Sequence, residues 1–162
     1  MNYEDKDINF LKLTDNQFEE ACFELLLRLG YKGLIWRTGG ADSGRDIEGF
    51  QAVNNPLVGT YDEKWFFECK RYESGVPVEQ LNSKIAWADA EKPKHLVFLV
   101  SSHLSNNSRA WLEKISQDKY YLVHLIEGFI PGISSVRSFA PRRFGNRLDD
   151  HGADIFCLAD RN

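Results

Sequence analysis

The apolar positions along the chain fall into runs whose periods name their elements. Thr14-Asp15-Asn16-Gln17 has the Thr-x-x-Gln form of a helix-capping box. Phe18, Cys22, Leu25, Leu26 and Leu29 then recur at helical spacing until Gly30 stops the run. Gly33-Leu34-Ile35-Trp36-Arg37-Thr38 reads as a short strand, and Gly39-Gly40-Ala41-Asp42-Ser43-Gly44 as a turn in which Asp42 shapes the backbone. A second strand follows over roughly Asp46 to Val53. The segment from Asn54 to Thr60 is a hairpin connection leading into Lys64–Arg71, an aromatic-rich strand.

Pro77 stands where the first residue of a helix tolerates proline, and Val78, Leu81, Ile85 and Ala88 form an apolar stripe that ends at Glu91-Lys92-Pro93. His95–Val100 is almost continuously apolar, as a strand buried on both faces must be. A helix over about Asn106 to Ile115 and a strand over Tyr120 to Ile126 complete the order αβββαβαβ. That order predicts an α/β domain with a central mixed sheet flanked by helices. His95 and His124 are read as strand-edge residues. Past Gly128 the periodicity fades. Residues 1–128 are therefore taken as the domain and 129–162 as a C-terminal extension, with truncation from a longer protein left open.

The chain has 162 residues, of which 43% are hydrophobic and 13% aromatic, enough for one domain with a substantial core. No window approaches a membrane span, and Met1–Lys6 lacks the basic and apolar regions of a signal peptide, so a cytoplasmic protein is expected. Cys22, Cys69 and Cys157 lie far apart without zinc-ligand spacing and are read as core or surface thiols. A net charge of −4 counts mildly against a nucleic-acid partner. A carboxylate site lowers net charge without lowering the potential that a bound metal presents to phosphate, so the objection is weak.

Glu68-Cys69-Lys70 is the most informative triplet. Alternate side chains of a strand share a face, so Glu68 and Lys70 project together while Cys69, with Trp65 and Phe67, faces a core. Alone, such a triplet more often marks an exposed ion pair. Asp46 changes that weighting, because it opens a strand that a hairpin pairs with the Glu68 strand, bringing two carboxylates and an ammonium to one sheet edge. Phosphodiester hydrolysis uses such a set: hard oxygen ligands for Mg²⁺, and a cation that positions water and stabilises developing charge. The Cys69 backbone carbonyl is a further candidate ligand.

Phe18-Glu19, Leu29-Gly30-Tyr31, Asp42-Ser43-Gly44-Arg45-Asp46 and Glu68-Cys69-Lys70-Arg71-Tyr72 together resemble, in the same order, the motifs of the PD-(D/E)XK nucleases, and more narrowly the Mrr-like restriction endonucleases. The resemblance spans about residues 14–126. It implies a restriction-endonuclease-like fold and a Mg²⁺-dependent endodeoxyribonuclease, with Mn²⁺ as a substitute ion, acting in restriction or anti-phage defence. It also implies Asp46 and Glu68 as metal ligands, Lys70 as the cation on water or the transition state, and Glu19 as an auxiliary acid. Gln80 matches a helical Gln of similar enzymes, although an exposed Gln near a helix start is the plainer account. Arg137, Arg142, Arg143 and Arg147 form a basic cluster that either grips DNA phosphates or belongs to a solvated tail. Partners beyond DNA, a homodimer or further domains, stay open. The rival functions are a structure-specific nuclease such as a Holliday-junction resolvase and a catalytically inactive nucleic-acid-binding domain of the same fold.

Overall fold

A computed structural model describes residues 12–37, 46–128 and 135–139. The elements run α1 (Asp15–Arg28), β1 (Lys32–Trp36), β2 (Ile47–Asn55), β3 (Gly59–Lys70), α2 (Glu79–Glu91), β4 (His95–Val100), α3 (Asn106–Ser116), β5 (Leu122–Glu127) and β6 (Ser135–Phe139). The expected order is found, with one strand added.

Both ends of α1 have a local cause. Thr14 Oγ1 accepts from the Gln17 amide at 3.3 Å while Gln17 Oε1 accepts from the Thr14 amide at 2.8 Å, closing the capping box of α1. Gly30 at φ +84° turns the chain, and the Tyr31 amide donates back to the Leu26 carbonyl at 3.1 Å. Helix α2 starts two residues later than Pro77 predicts: Val78 is its N-cap, without a side-chain cap, and the Pro77 carbonyl accepts from the Gln80 amide at 3.3 Å. Strand β3 starts earlier than expected, at Gly59, because Asn55 Oδ1 accepts from the amides of Leu57 and Val58 and shortens the hairpin connection to a tight turn.

The strands lie in chain order, β1 to β6, in a single sheet. The β1–β2, β2–β3 and β5–β6 pairs are antiparallel, whereas β3–β4 and β4–β5 are parallel and are joined by α2 and α3. Helix α1 covers one face, where Phe18, Cys22 and Leu26 pack on Ile47, Phe67, Cys69, Val97 and Leu99. Helices α2 and α3 cover the other, where Leu81, Ile85, Ala88 and Leu112 pack on Phe66, Leu96, Phe98, Val123 and Leu125. Strand β4 is buried along its whole length because it lies between these layers. Strand β6, within the segment where the periodicity fades, is a five-residue edge strand held by its ladder to β5. A short Ser- and Arg-containing run carries little alternation to announce it.

His95 and His124, expected at strand edges, stand instead on inner strands. Trp65 stacks on His95 with ring centroids 3.7 Å apart, His95 Nδ1 and His124 Nε2 share a hydrogen bond of 2.9 Å, and His95 Nε2 meets Glu63 Oε2 at 3.0 Å. Burial and the neighbouring His95 draw His124 from 6.5 down to about 4. An unfolded chain takes up a proton near 6.5 that the folded one refuses, so stability is complete above that pH and declines as pH falls toward about 4. The urea midpoint is expected to drop between pH 7.5 and pH 5, and to drop less in His124→Asn; equal drops in both proteins would refute this account.

Candidate active site

Strand β3 carries Glu68 and Lys70 at its C-terminal end, deep inside the sheet rather than on a lateral edge strand. Asp46 immediately precedes β2, and the Ile47–Phe67 register sets it beside the end of β3. The Cys69 amide donates to Asp46 Oδ2 at 2.7 Å, which fixes that carboxylate across the two strands. Lys70 Nζ lies 3.4 Å from Asp46 Oδ2 and 3.9 Å from Glu68 Oε2. The three groups predicted to converge therefore do so, at the end of the sheet.

A fourth group joins them that the sequence pattern does not announce. Lys84, on the second turn of α2, places Nζ 2.9 Å from Glu68 Oε2 and 3.4 Å from Asp46 Oδ1. Two carboxylates thus face two ammonium groups. The Glu68 side chain is only 1% exposed, and the side chains of Asp46, Lys70 and Lys84 are each 14% exposed. Leaving a carboxylate so buried and unpaired would cost several kcal/mol, so the lysines are what favour its ionised form there. Burial, reinforced by Asp46, pushes the Glu68 carboxyl well above its usual range, with Lys84 and Lys70 pulling the other way. For Lys84, burial acts downward, but Glu68 and Asp46 outweigh it and its pKa is raised.

The donor set suits a small hard cation. Glu68 Oε2 meets the Lys84 ammonium at 2.9 Å, while no hydrogen-bond donor reaches Oε1 among the described residues, so a fully buried carboxylate keeps acceptor capacity for an ion. Asp46 adds oxygens beside it, and carboxylate oxygens are the ligands that Mg²⁺ and Mn²⁺ prefer. Among the described residues, no group of three or more His, Cys, Asp or Glu side chains is placed to hold a metal, so backbone or solvent oxygens would have to complete the shell.

Other predicted residues fall at varied distances from this centre. Glu19 on α1 is half-buried, and its Oε2 accepts from Trp36 Nε1 at 3.1 Å. Burial raises its pKa against the Trp36 bond, and Asp46, Lys70 and Lys84 all lie within its electrostatic reach. The Cys69 side chain packs with Cys22 on the α1 side, so Cys69 contributes backbone alone to the site. Gln80 is exposed one turn before Lys84 on α2. Arg137 lies on β6, where only its backbone is described, paired with Leu125. Arg142, Arg143 and Arg147 lie outside the described residues, as do Asp42 and Cys157. No helix among the described residues is long and apolar enough to cross a membrane.

A mixed sheet between helical layers, with an acid before one strand and an acid and lysine at the end of the next, defines the class of PD-(D/E)XK-type domains. A family model described as restriction endonuclease, of the Mrr catalytic type, matches residues 10–128, and the chain belongs to that family. The type IV methyl-directed restriction enzyme EcoKMrr of Escherichia coli (strain K12) is 27% identical over 134 residues, covering 78% of this chain and 42% of that enzyme. The chain thus spans less than half the length of this relative. The DNA modification-dependent restriction endonuclease AspBHI shares the fold, with a TM-score of 0.53 at 17% identity over 79% of this chain and 34% of its own. The MspJI restriction endonuclease, solved in complex with a 27-mer oligonucleotide, aligns over 68% of this chain and 24% of its own, with a TM-score of 0.48 and 20% identity.

Proposed function

We propose that this chain hydrolyses DNA phosphodiester bonds with a divalent ion, Mg²⁺ or Mn²⁺, held by Asp46 and Glu68, as the nuclease part of a restriction or anti-phage system. The observation that carries this is the fully buried Glu68 carboxylate, held beside a second carboxylate, Asp46, with the ammonium groups of Lys70 and Lys84 against both. A structural ion pair has no need to bury a carboxylate in that condition. When bound, the ion polarises the phosphate and lowers the pKa of water.

The chain's own residues divide the remaining work. Asp46, locked by the Cys69 amide, and Glu68, locked by burial, present ligand oxygens without needing to reorganise. The Cys69 carbonyl is the proposed backbone donor. Lys70 orients the attacking water and faces the negative charge that builds on the phosphorus oxygens as the new P–O bond forms and the bond to the leaving sugar oxygen breaks. Glu19, raised in pKa and within reach of the same charges, is placed to assist with a proton. The names of the relatives, methyl-directed and modification-dependent, make modified DNA the first substrate to try.

Supercoiled plasmid, methylated and unmethylated, incubated with the protein and Mg²⁺ is expected to become nicked or linear, and to remain intact in EDTA. Cleavage that persists in EDTA would remove the metal from the mechanism. Binding without cleavage under every divalent ion would favour the inactive DNA-binding alternative.

A further inference from the structure

Lys84 has a geometry that a supporting ion pair does not require. Its ammonium touches both carboxylates at once, Glu68 at 2.9 Å and Asp46 at 3.4 Å, while Lys70 matches it at Asp46, 3.4 Å, but stands farther from Glu68, at 3.9 Å. It comes from another element, α2, on the border of the buried stripe formed by Leu81, Ile85 and Ala88, so its backbone is anchored while its four-carbon stem can swing. Charge cancels in the group: Asp46 and Glu68 give two negatives, Lys70 and Lys84 two positives. A divalent ion entering beside all four would meet a neutral site. It would also compete with Lys84 for the same two carboxylates.

We infer that Lys84 is an exchangeable counter-ion: its ammonium bridges Asp46 and Glu68 in the resting protein and must be displaced when a divalent ion binds between them. The inference rests on the proposed metal site. Lys84 is in this sense a positioning residue, which holds the two acids together until the ion takes its place. A cation bound to the folded apo form alone weakens metal binding by the free energy of its own contacts. Removing it should therefore tighten metal binding and loosen the apo protein, two effects of opposite sign that a purely structural lysine would not produce together.

The test is Mn²⁺ binding to the full chain without DNA, followed by calorimetry and by the loss of the free-ion paramagnetic resonance signal. Lys84→Met keeps the stem and removes the charge, and Lys84→Ala removes both. Each should bind Mn²⁺ on the order of tenfold more tightly than wild type, within the usual range of coupling between sites. Their metal-free melting temperatures should fall and then recover further on adding Mn²⁺ than that of wild type does. Lys114→Ala removes the same charge from the exposed side of α3 and should leave the affinity unchanged. Unchanged or weaker Mn²⁺ binding in Lys84→Met, with wild-type binding abolished by Glu68→Gln, would overturn the exchange and leave the metal site standing. Wild-type Mn²⁺ binding indifferent to Glu68→Gln would overturn both.

Discussion

Lys70→Ala is expected to bind DNA almost as tightly as wild type and to cut it at least a hundredfold more slowly. The ammonium lies at the rim of the buried acids, 3.4 Å from Asp46, where it can face charge that exists only while the phosphorus–oxygen bonds are changing. Interactions that strengthen in the transition state raise the barrier when lost, and leave ground-state affinity largely intact. Loss of one such electrostatic contact typically costs about 10²–10³ in rate, and a shared role in orienting water would deepen it. The fold should survive, because Glu68 keeps its nearer partner, Lys84, at 2.9 Å. Circular dichroism and a filter-binding isotherm on the same preparation separate the effects. A folded Lys70→Ala protein that cut at the wild-type rate would move the whole proposal to a non-catalytic DNA-binding domain.

The residues around Lys70 also show what a sequence can disclose. Period-two alternation is a local property, so the order of residues alone places Glu68 and Lys70 on one face of β3 and Cys69 on the other. The hairpin between β2 and β3 is short-range as well, and it sets Asp46 against the end of β3, as the Cys69–Asp46 bond of 2.7 Å shows. Lys84 carries no such mark, because its role depends on how α2 docks across the sheet, a long-range outcome that no spacing encodes. Its only local signal is a cation bordering the apolar stripe of α2, where a lysine usually lays its stem on the core and its charge in water. The signal that would single it out is a buried acid in need of a second cation. The setting of His95 and His124 is hidden for the same reason, since their stacking on Trp65 joins three strands. Strand β6 is hidden for a different one: its stability comes from the ladder it extends, and its five residues carry little pattern.

Asp46→Asn is expected to lose cleavage by a different route, through the metal, and so to respond to metal concentration where Lys70→Ala does not. The amide retains an oxygen for the Cys69 N–H, now at 2.7 Å from Oδ2, so the junction of β2 and β3 should hold. What disappears is one of two anionic ligands, together with the partner shared by Lys70 and Lys84, each 3.4 Å away. Two positive charges then face a single carboxylate, Glu68, and a divalent ion meets net repulsion as well as a missing donor. A weakened ion site is refilled by mass action, so raising Mg²⁺, or supplying Mn²⁺ with its stronger affinity for mixed donors, should restore part of the activity. The same titration should leave Lys70→Ala flat, because its defect lies in charge placement once the ion is already bound. Cleavage measured across a metal series therefore distinguishes ligand from transition-state cation. If Asp46→Asn cut at the wild-type rate at the lowest Mg²⁺ concentration that sustains wild type, Asp46 would be a strand clamp held for the Cys69 amide, and the metal ligands would have to be sought among Glu68, Glu19 and the backbone.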